Sequence, residues 1–294
     1  VFIDPVSTGF SRAVPGEKPD QFHTDKTDVE SVGDFIHLYT TRNNRWGSPK
    51  FLIGESYGTT RAAGLSGYLQ ERHGLYLNGI MLVSAILNFV TARFNDGNDL
   101  PYLLFLPTYT ATAHYHKKLP GEQQTRPLLE LLAEVERFAA VDYNLALMKG
   151  AAIAPEERET IISRLAAYTG LSADYIDRTD LRINIHRFCK ELRRDEGLTV
   201  GRIDSRYTGY DRDAAGEYPE RDPSLSATTG AYSATLKDYV RRELGYESDL
   251  PYEILASLYQ TWKYDRWQNQ YVNMAETLRE AMVTNPYMKI FVAN

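Results

Sequence analysis

Phe51-Leu52-Ile53-Gly54-Glu55-Ser56-Tyr57-Gly58 is the stretch that decides how this chain is read. A short apolar run leads into a G-x-S-x-G pentapeptide. Thr59 to Gln70 then reads as a helix whose small residues Ala62, Ala63, Gly64 and Gly67 face something close. The five letters alone are a weak signal. Strand, sharp turn and helix together are the setting in which they form a nucleophile elbow, with Ser56 as the nucleophile. The flanking glycines lack Cβ, so both are expected to free the backbone for the strained turn that lifts the serine oxygen off the sheet. The competing reading is a purely structural turn.

Outward from the elbow, strands and helices alternate through Phe89. Phe2-Ile3-Asp4 reads as a strand end. A Thr27-x-x-Glu30 capping box opens a helix with Val32, Phe35, Ile36 and Tyr39 on one face, closed by Asn43-Asn44-Arg45-Trp46-Gly47. Strand 50–54, helix 59–70 and strand 79–84 follow. Strands separated by helices imply parallel pairing with right-handed crossovers, and their near-continuous apolar content fits a sheet covered on both faces. The expected class is α/β.

From about Asn95 the pattern turns helical. Leu128, Leu131, Leu132, Val135 and Phe138 recur at helical spacing; Pro155 starts a helix carrying Ile161, Ile162, Leu165 and Tyr168 that ends at Gly170. Ser172 caps another, and a basic helix runs to Gly197. Residues 198–232 read as a long irregular excursion, with helix resuming near Leu236 to Leu244 and again from Pro251. A helix with Tyr271, Met274, Leu278 and Met282 leads through Asn285-Pro286 to a final strand, Met288 to Asn294. The predicted division is a core over 1–94, a mainly helical insertion over 95–265 and a return to the core over 266–294.

Composition narrows the class without choosing within it. With 43% hydrophobic residues among 294, the chain can bury a sizeable core. A net charge of −6 with no Lys/Arg block argues against nucleic acid as the partner. No apolar run approaches the ~20 residues of a membrane helix. The single cysteine, Cys189, excludes an internal disulfide and reads as a buried thiol beside Phe188 and Leu192. No nucleotide-binding glycine motif is present, so no cofactor is expected. His114-x-His116, read as two imidazoles on one face of a strand, has no third ligand. Asp211-x-Asp213 with Gly216 and Asp222 echoes a calcium loop faintly, with Ala215 where a ligand is needed; no metal is expected.

Two motifs in order, Asp4-Pro5-Val6-Ser7-Thr8-Gly9-Phe10-Ser11 and Gly54-Glu55-Ser56-Tyr57-Gly58, make the sequence resemble the serine carboxypeptidase family, peptidases of the α/β-hydrolase fold. Leu106-Pro107-Thr108-Tyr109-Thr110-Ala111-Thr112-Ala113 resembles its bacterial branch. Ser7 stands where the family usually has glycine, and Thr59-Thr60 replaces a further glycine found in many members. The resemblance implies an acyl-enzyme on Ser56, a peptide substrate with a free C-terminal carboxylate, a helical cap over the site, and a secreted or periplasmic protein. It also implies that Glu55 helps bind that carboxylate through a hydrogen-bonded network, which would favour acidic pH. Position alone makes the Tyr57 backbone N–H one oxyanion donor; a second is expected from a glycine-rich segment upstream.

A serine hydroxyl needs a base, normally a histidine oriented by an acid. His23, His37, His73, His114, His116 and His186 all precede the last strand, whereas the triad order of this fold places acid and histidine after later strands. None of them, and no aspartate including Asp265, is carried over as a triad member. The chain therefore reads as the middle of a longer enzyme with its acid and histidine beyond Asn294. Two other readings stay open: an esterase or acyltransferase of the same fold, and a non-catalytic binding relative.

Overall fold

Thr24 opens the first helix, α1 (Asp25–Arg42), by accepting a hydrogen bond from the Thr27 N–H. The cap thus lies upstream of the expected Thr27 box, and Thr27 is its donor rather than its acceptor. That register buries Val29, Val32 and Gly33 and leaves Phe35 and Tyr39 exposed, against the expected face. Strand β1 (Phe51–Glu55), helix α2 (Tyr57–His73) and strand β2 (Gly79–Val83) follow, with β1 and β2 parallel from Phe51 opposite Gly79 to Glu55 opposite Val83. The computed structural model describes residues 1–293, the Asp265 side chain excepted.

Next come α3 (Leu100–Tyr115), α4 (Gly121–Thr125), α5 (Leu128–Phe138), a π-helical turn (Ala139–Tyr143), α6 (Asn144–Lys149), α7 (Pro155–Thr169), α8 (Ala173–Arg178) and α9 (Ile185–Glu191). The apolar stripes of α3 and α5 to α9 meet in one core that holds Leu131, Val135, Phe138, Leu165, Ile176 and Phe188. Two strands, β3 (Leu198–Val200) and β4 (Thr208–Tyr210), pair antiparallel where no strand was expected. Helix α10 (Pro223–Arg242) begins well before Leu236, because Asp222 caps it by accepting the Ser224 N–H and Pro223 suits its first turn. The helix expected from Pro251 is absent among the described residues; two short 3₁₀ turns, Leu258–Gln260 and Asp265–Trp267, stand there. Helix α11 (Ala275–Thr284) then leads to β5 (Lys289–Ala293), which pairs parallel with β2 and gives the order β1-β2-β5.

The chain divides into two units, Val1–Ala92 with Ser248–Asn294, and Arg93–Glu247. Residues 248–265 group with the sheet-bearing unit, so the return begins earlier than position 266. Backbone bonds within that unit show why. Gly9 and Glu253 exchange N–H···O=C bonds of 2.9 and 3.0 Å, and the Lys263 N–H donates to the His23 carbonyl at 2.9 Å.

The class is mixed α/β with a small parallel sheet. Period-two alternation sends Leu52, Gly54, Ile80 and Leu82 toward the helices, while Phe51, Ile53 and Phe291 on the other face are 58%, 69% and 63% exposed. The described sheet is therefore covered on one face, not two. Phe2, read as part of a strand, is fully exposed and unpaired with the sheet. The small residues of α2 do face close neighbours. A Cβ on Gly64 would lie 2.8 Å from Val29 Cγ2 of α1, and one on Gly67 would lie 2.7 Å from Thr277 Cγ2 of α11.

Candidate active site

Ser56 ends β1 and precedes α2 with φ 52° and ψ −122°, a conformation that costs a side-chain-bearing residue about 1–3 kcal/mol. Neighbours hold it there. Its N–H donates to the Val83 carbonyl of β2 at 3.0 Å, and its carbonyl accepts from the Thr59 N–H at 2.9 Å and the Thr59 hydroxyl at 2.7 Å. The strain sits on the serine rather than on its glycines. Gly54 is required by close approach, since a Cβ there would lie 2.1 Å from the Gly58 carbonyl oxygen. Gly58 is not: a Cβ at that position meets nothing within 4 Å.

Thr59 and Thr60 have a role that the sequence did not signal. The Ile86 N–H donates to Thr59 Oγ1 at 2.9 Å, and the Thr60 hydroxyl donates to the Ile86 carbonyl at 2.6 Å. The segment after β2 is thereby tied to the start of α2. The only sequence cue was a pair of hydroxyl residues at the first turn of a helix whose other inward positions are small and apolar.

Among the described residues, the backbone N–H groups of Tyr57 and Gly58 find no acceptor. They lie in the first turn of the 17-residue α2, where helical N–H groups are unpaired and the helix dipole favours negative charge. The elbow thus offers Ser56 Oγ at the carboxyl end of a parallel strand beside unpaired donors. The Tyr57 ring lies under the Arg61 guanidinium at 5.3 Å and edge-on to Trp262 at 5.1 Å. Arg61 donates to both oxygens of Asp28 at 2.8 and 3.0 Å. Burial raises the pKa of Asp28 against the pull of Arg61, and burial with the Asp28 charge holds the Tyr57 phenol far above its ordinary value. The Arg61–Asp28 pair ties α1 to the elbow helix, while the buried Tyr57 hydroxyl has no hydrogen-bond partner among the described residues. The Glu55 side chain is exposed and makes no hydrogen bond to the elbow backbone.

Ser56 Oγ makes no hydrogen bond among the described residues, and His23, His37 and His73, the histidines of its own unit, are engaged with other partners. His73 Nε2 is 2.9 Å from Asp34 and its ring stacks on His37 at 4.3 Å. His116, at the end of α3 and not on a strand, receives or gives a bond at 2.6 Å with the Ser205 carbonyl; as that carbonyl only accepts, Nε2 is the donor. His186 lies beside Tyr218, its pKa lowered by burial. His23 Nδ1 is 2.8 Å from Thr261 Oγ1 and its Nε2 is 3.1 Å from Ser7 Oγ.

Asp4, Gly9 and Phe10 form a turn that is tied to the segment at Tyr252 and Glu253. The Asp4 carboxylate accepts from the Phe10 N–H at 3.3 Å and the Tyr252 hydroxyl at 3.3 Å. Asp211 pairs with the buried ammonium of Lys190 and accepts the Thr199 hydroxyl, Asp213 accepts the Ala215 N–H, and Asp222 caps α10, so the acidic run folds as structural anchors. Among the described residues no three His, Cys, Asp or Glu side chains are grouped to hold a metal ion, and no helix is long and apolar enough to cross a membrane. No protein-family model, curated protein or solved structure matches the chain.

Proposed function

We propose that this chain carries the nucleophile elbow of a serine carboxypeptidase-type hydrolase of the α/β-hydrolase fold, releasing C-terminal residues from peptides through an acyl-enzyme on Ser56. The observation that supports this most is the backbone of Ser56, strained at φ 52° and ψ −122° between a parallel strand and a helix whose first N–H groups are unpaired. In this reading Ser56 Oγ attacks the scissile carbonyl carbon. The Tyr57 N–H stabilises the developing oxyanion, and the exposed Glu55 receives the substrate carboxylate through a shared proton. The base that takes the Ser56 proton and the acid that orients it are not assigned to any described residue, none of which hydrogen-bonds Ser56 Oγ.

The test is hydrolysis of N-blocked dipeptides, free acid against C-terminal amide, by the native polypeptide that contains this sequence. Cleavage of the free acid alone is expected, falling by about 10⁴-fold or more in Ser56→Ala. Equal cleavage of acid and amide would reassign the protein to the esterase or acyltransferase reading. Unchanged cleavage in Ser56→Ala would remove Ser56 from the chemistry.

A further inference from the structure

Ser7 sits at φ 72°, a left-handed conformation that costs a residue with a Cβ about 1–2 kcal/mol and glycine nothing. Its hydroxyl ends on an imidazole, 3.1 Å from His23 Nε2. The ring is 5% exposed and fixed on its other side by Thr261 Oγ1, 2.8 Å from Nδ1. Thr261 has one hydroxyl proton, and it points to the Leu258 carbonyl at 3.2 Å. With that proton on the Leu258 carbonyl, Thr261 accepts from His23 Nδ1 and the Nε2 lone pair faces Ser7 Oγ, the arrangement on which the proposal below rests. That is the tautomer a general base requires.

Ser7 and His23 both line an open surface pocket of about 610 Å³, bordered by Val14, Pro15, Ala256 and Leu258. Of the charged lining groups, Arg12 is spent on the carbonyls of Gly9, Ser11 and Pro251 and lies 3.7 Å from Glu253. Glu17 adds a second carboxylate to the lining, so the pocket disfavours anions.

We propose that Ser7 is a second, histidine-activated nucleophile that takes small uncharged or cationic esters in this pocket and accepts their acyl group. As Ser7 Oγ bonds to the ester carbonyl carbon, its proton passes to His23 Nε2. The adduct collapses by breaking the bond to the leaving oxygen, which takes that proton, giving acyl-Ser7 and one alcohol. The N–H groups nearby are committed, Ser7 to the Ser11 carbonyl, Thr8 to Pro5 and Gly9 to Glu253. Lacking one such oxyanion donor costs about 10²–10³ in rate, so the reaction is a slow, single acylation rather than turnover. It does not rest on the reading of Ser56.

The experiment is acetylation of the folded chain by p-nitrophenyl acetate, with the acetyl group located by peptide mass spectrometry. An acetyl on Ser7 is expected, absent in Ser7→Gly and formed about 100-fold more slowly in His23→Gln. Thr261→Val, which keeps the shape but removes the hydroxyl 2.8 Å from His23 Nδ1, is expected to slow it about tenfold. Failure of Ser7 to acetylate in a chain whose circular dichroism shows its helices would overturn the proposal. So would an acetyl rate on Ser7 that neither His23→Gln nor Thr261→Val changes. An acetyl found only on Ser56 rejects Ser7 and supports the elbow instead.

Discussion

The turn at Ser56 and the loop at Ser7 hold their serines in the same unusual way, and each supplies what the other lacks. Both residues sit at positive φ, 52° and 72°. At Ser56 the strain is shared with a strand and a helix, and it leaves an unengaged hydroxyl beside unpaired N–H groups. At Ser7 it is held by the loop's own bonds, and it aims the hydroxyl at a buried imidazole while every nearby N–H is spent. Left-handed backbone thus marks where a side chain is being aimed, not what chemistry follows; the partners decide that.

The comparison can be broken most forcefully at the glycines of the elbow. Gly54→Ala forces a Cβ to 2.1 Å from a backbone oxygen and is expected to cost about 3–5 kcal/mol in urea unfolding. Gly58→Ala meets open space within α2 and is expected to stabilise by about 0.5–1 kcal/mol. Equal effects would mean that close approach does not shape this turn. The Ser7 loop is expected to respond next. His23→Ala removes both ring hydrogen bonds from a buried site, at about 2–3 kcal/mol, whereas His73→Ala, whose partner Asp34 is 57% exposed, is expected to cost about 1 kcal/mol or less.

Ser7→Gly sharpens the contrast from the other side. Relief of about 1–2 kcal/mol of strain opposes a lost hydrogen bond of about 1 kcal/mol, so a net change within about 1 kcal/mol is expected. A much larger loss would show that the hydroxyl holds the loop together rather than standing ready to react.

The smallest effect at neutral pH is at the Cys189 thiol of α9. Burial pushes it up to about 12 from an ordinary 9.0, with Asp222 adding to the rise. A folded-state pKa raised in this way contributes stability that is complete below about pH 9 and is lost as pH rises toward 12. Maleimide labelling at pH 8 is expected to run at under about 1% of the rate in urea. Equal rates would show that this thiol is not enclosed as Ser7 and Ser56 are not.

Much of the framework was legible where a signal is local. Strands β1 and β2 fell within a residue of their expected ends, Pro155 and Gly170 bounded α7 through a first-turn proline and a left-handed cap, and Ser172 capped α8. Misreadings arose where two local signals competed. Thr24 and Thr27 both suit a cap, and packing of Val29 and Val32 chose the first. Residues 198–232 were rich in turn formers, which hid a short ribbon held by only three residue pairs and an Asp-Pro helix start. The sheet's apolar strands looked buried on both faces, yet period-two alternation cannot say whether anything covers the second face.

By itself the sequence determined that a strand, an elbow and a helix follow one another at 51–73, and that the residues after Asn95 build helices with apolar stripes. Those properties depend on neighbours along the chain, through backbone sterics and side-chain periodicity. Only the tertiary structure decided that the elbow's strain rests on Ser56 and its crowding on Gly54, because both follow from how α2 folds back against the end of β1. It alone brought His23 to Thr261, 238 positions away, with its other ring nitrogen 3.1 Å from Ser7 Oγ. Spacing along a chain carries no information about such a meeting; it is fixed by which segments can satisfy their buried polar groups on one another.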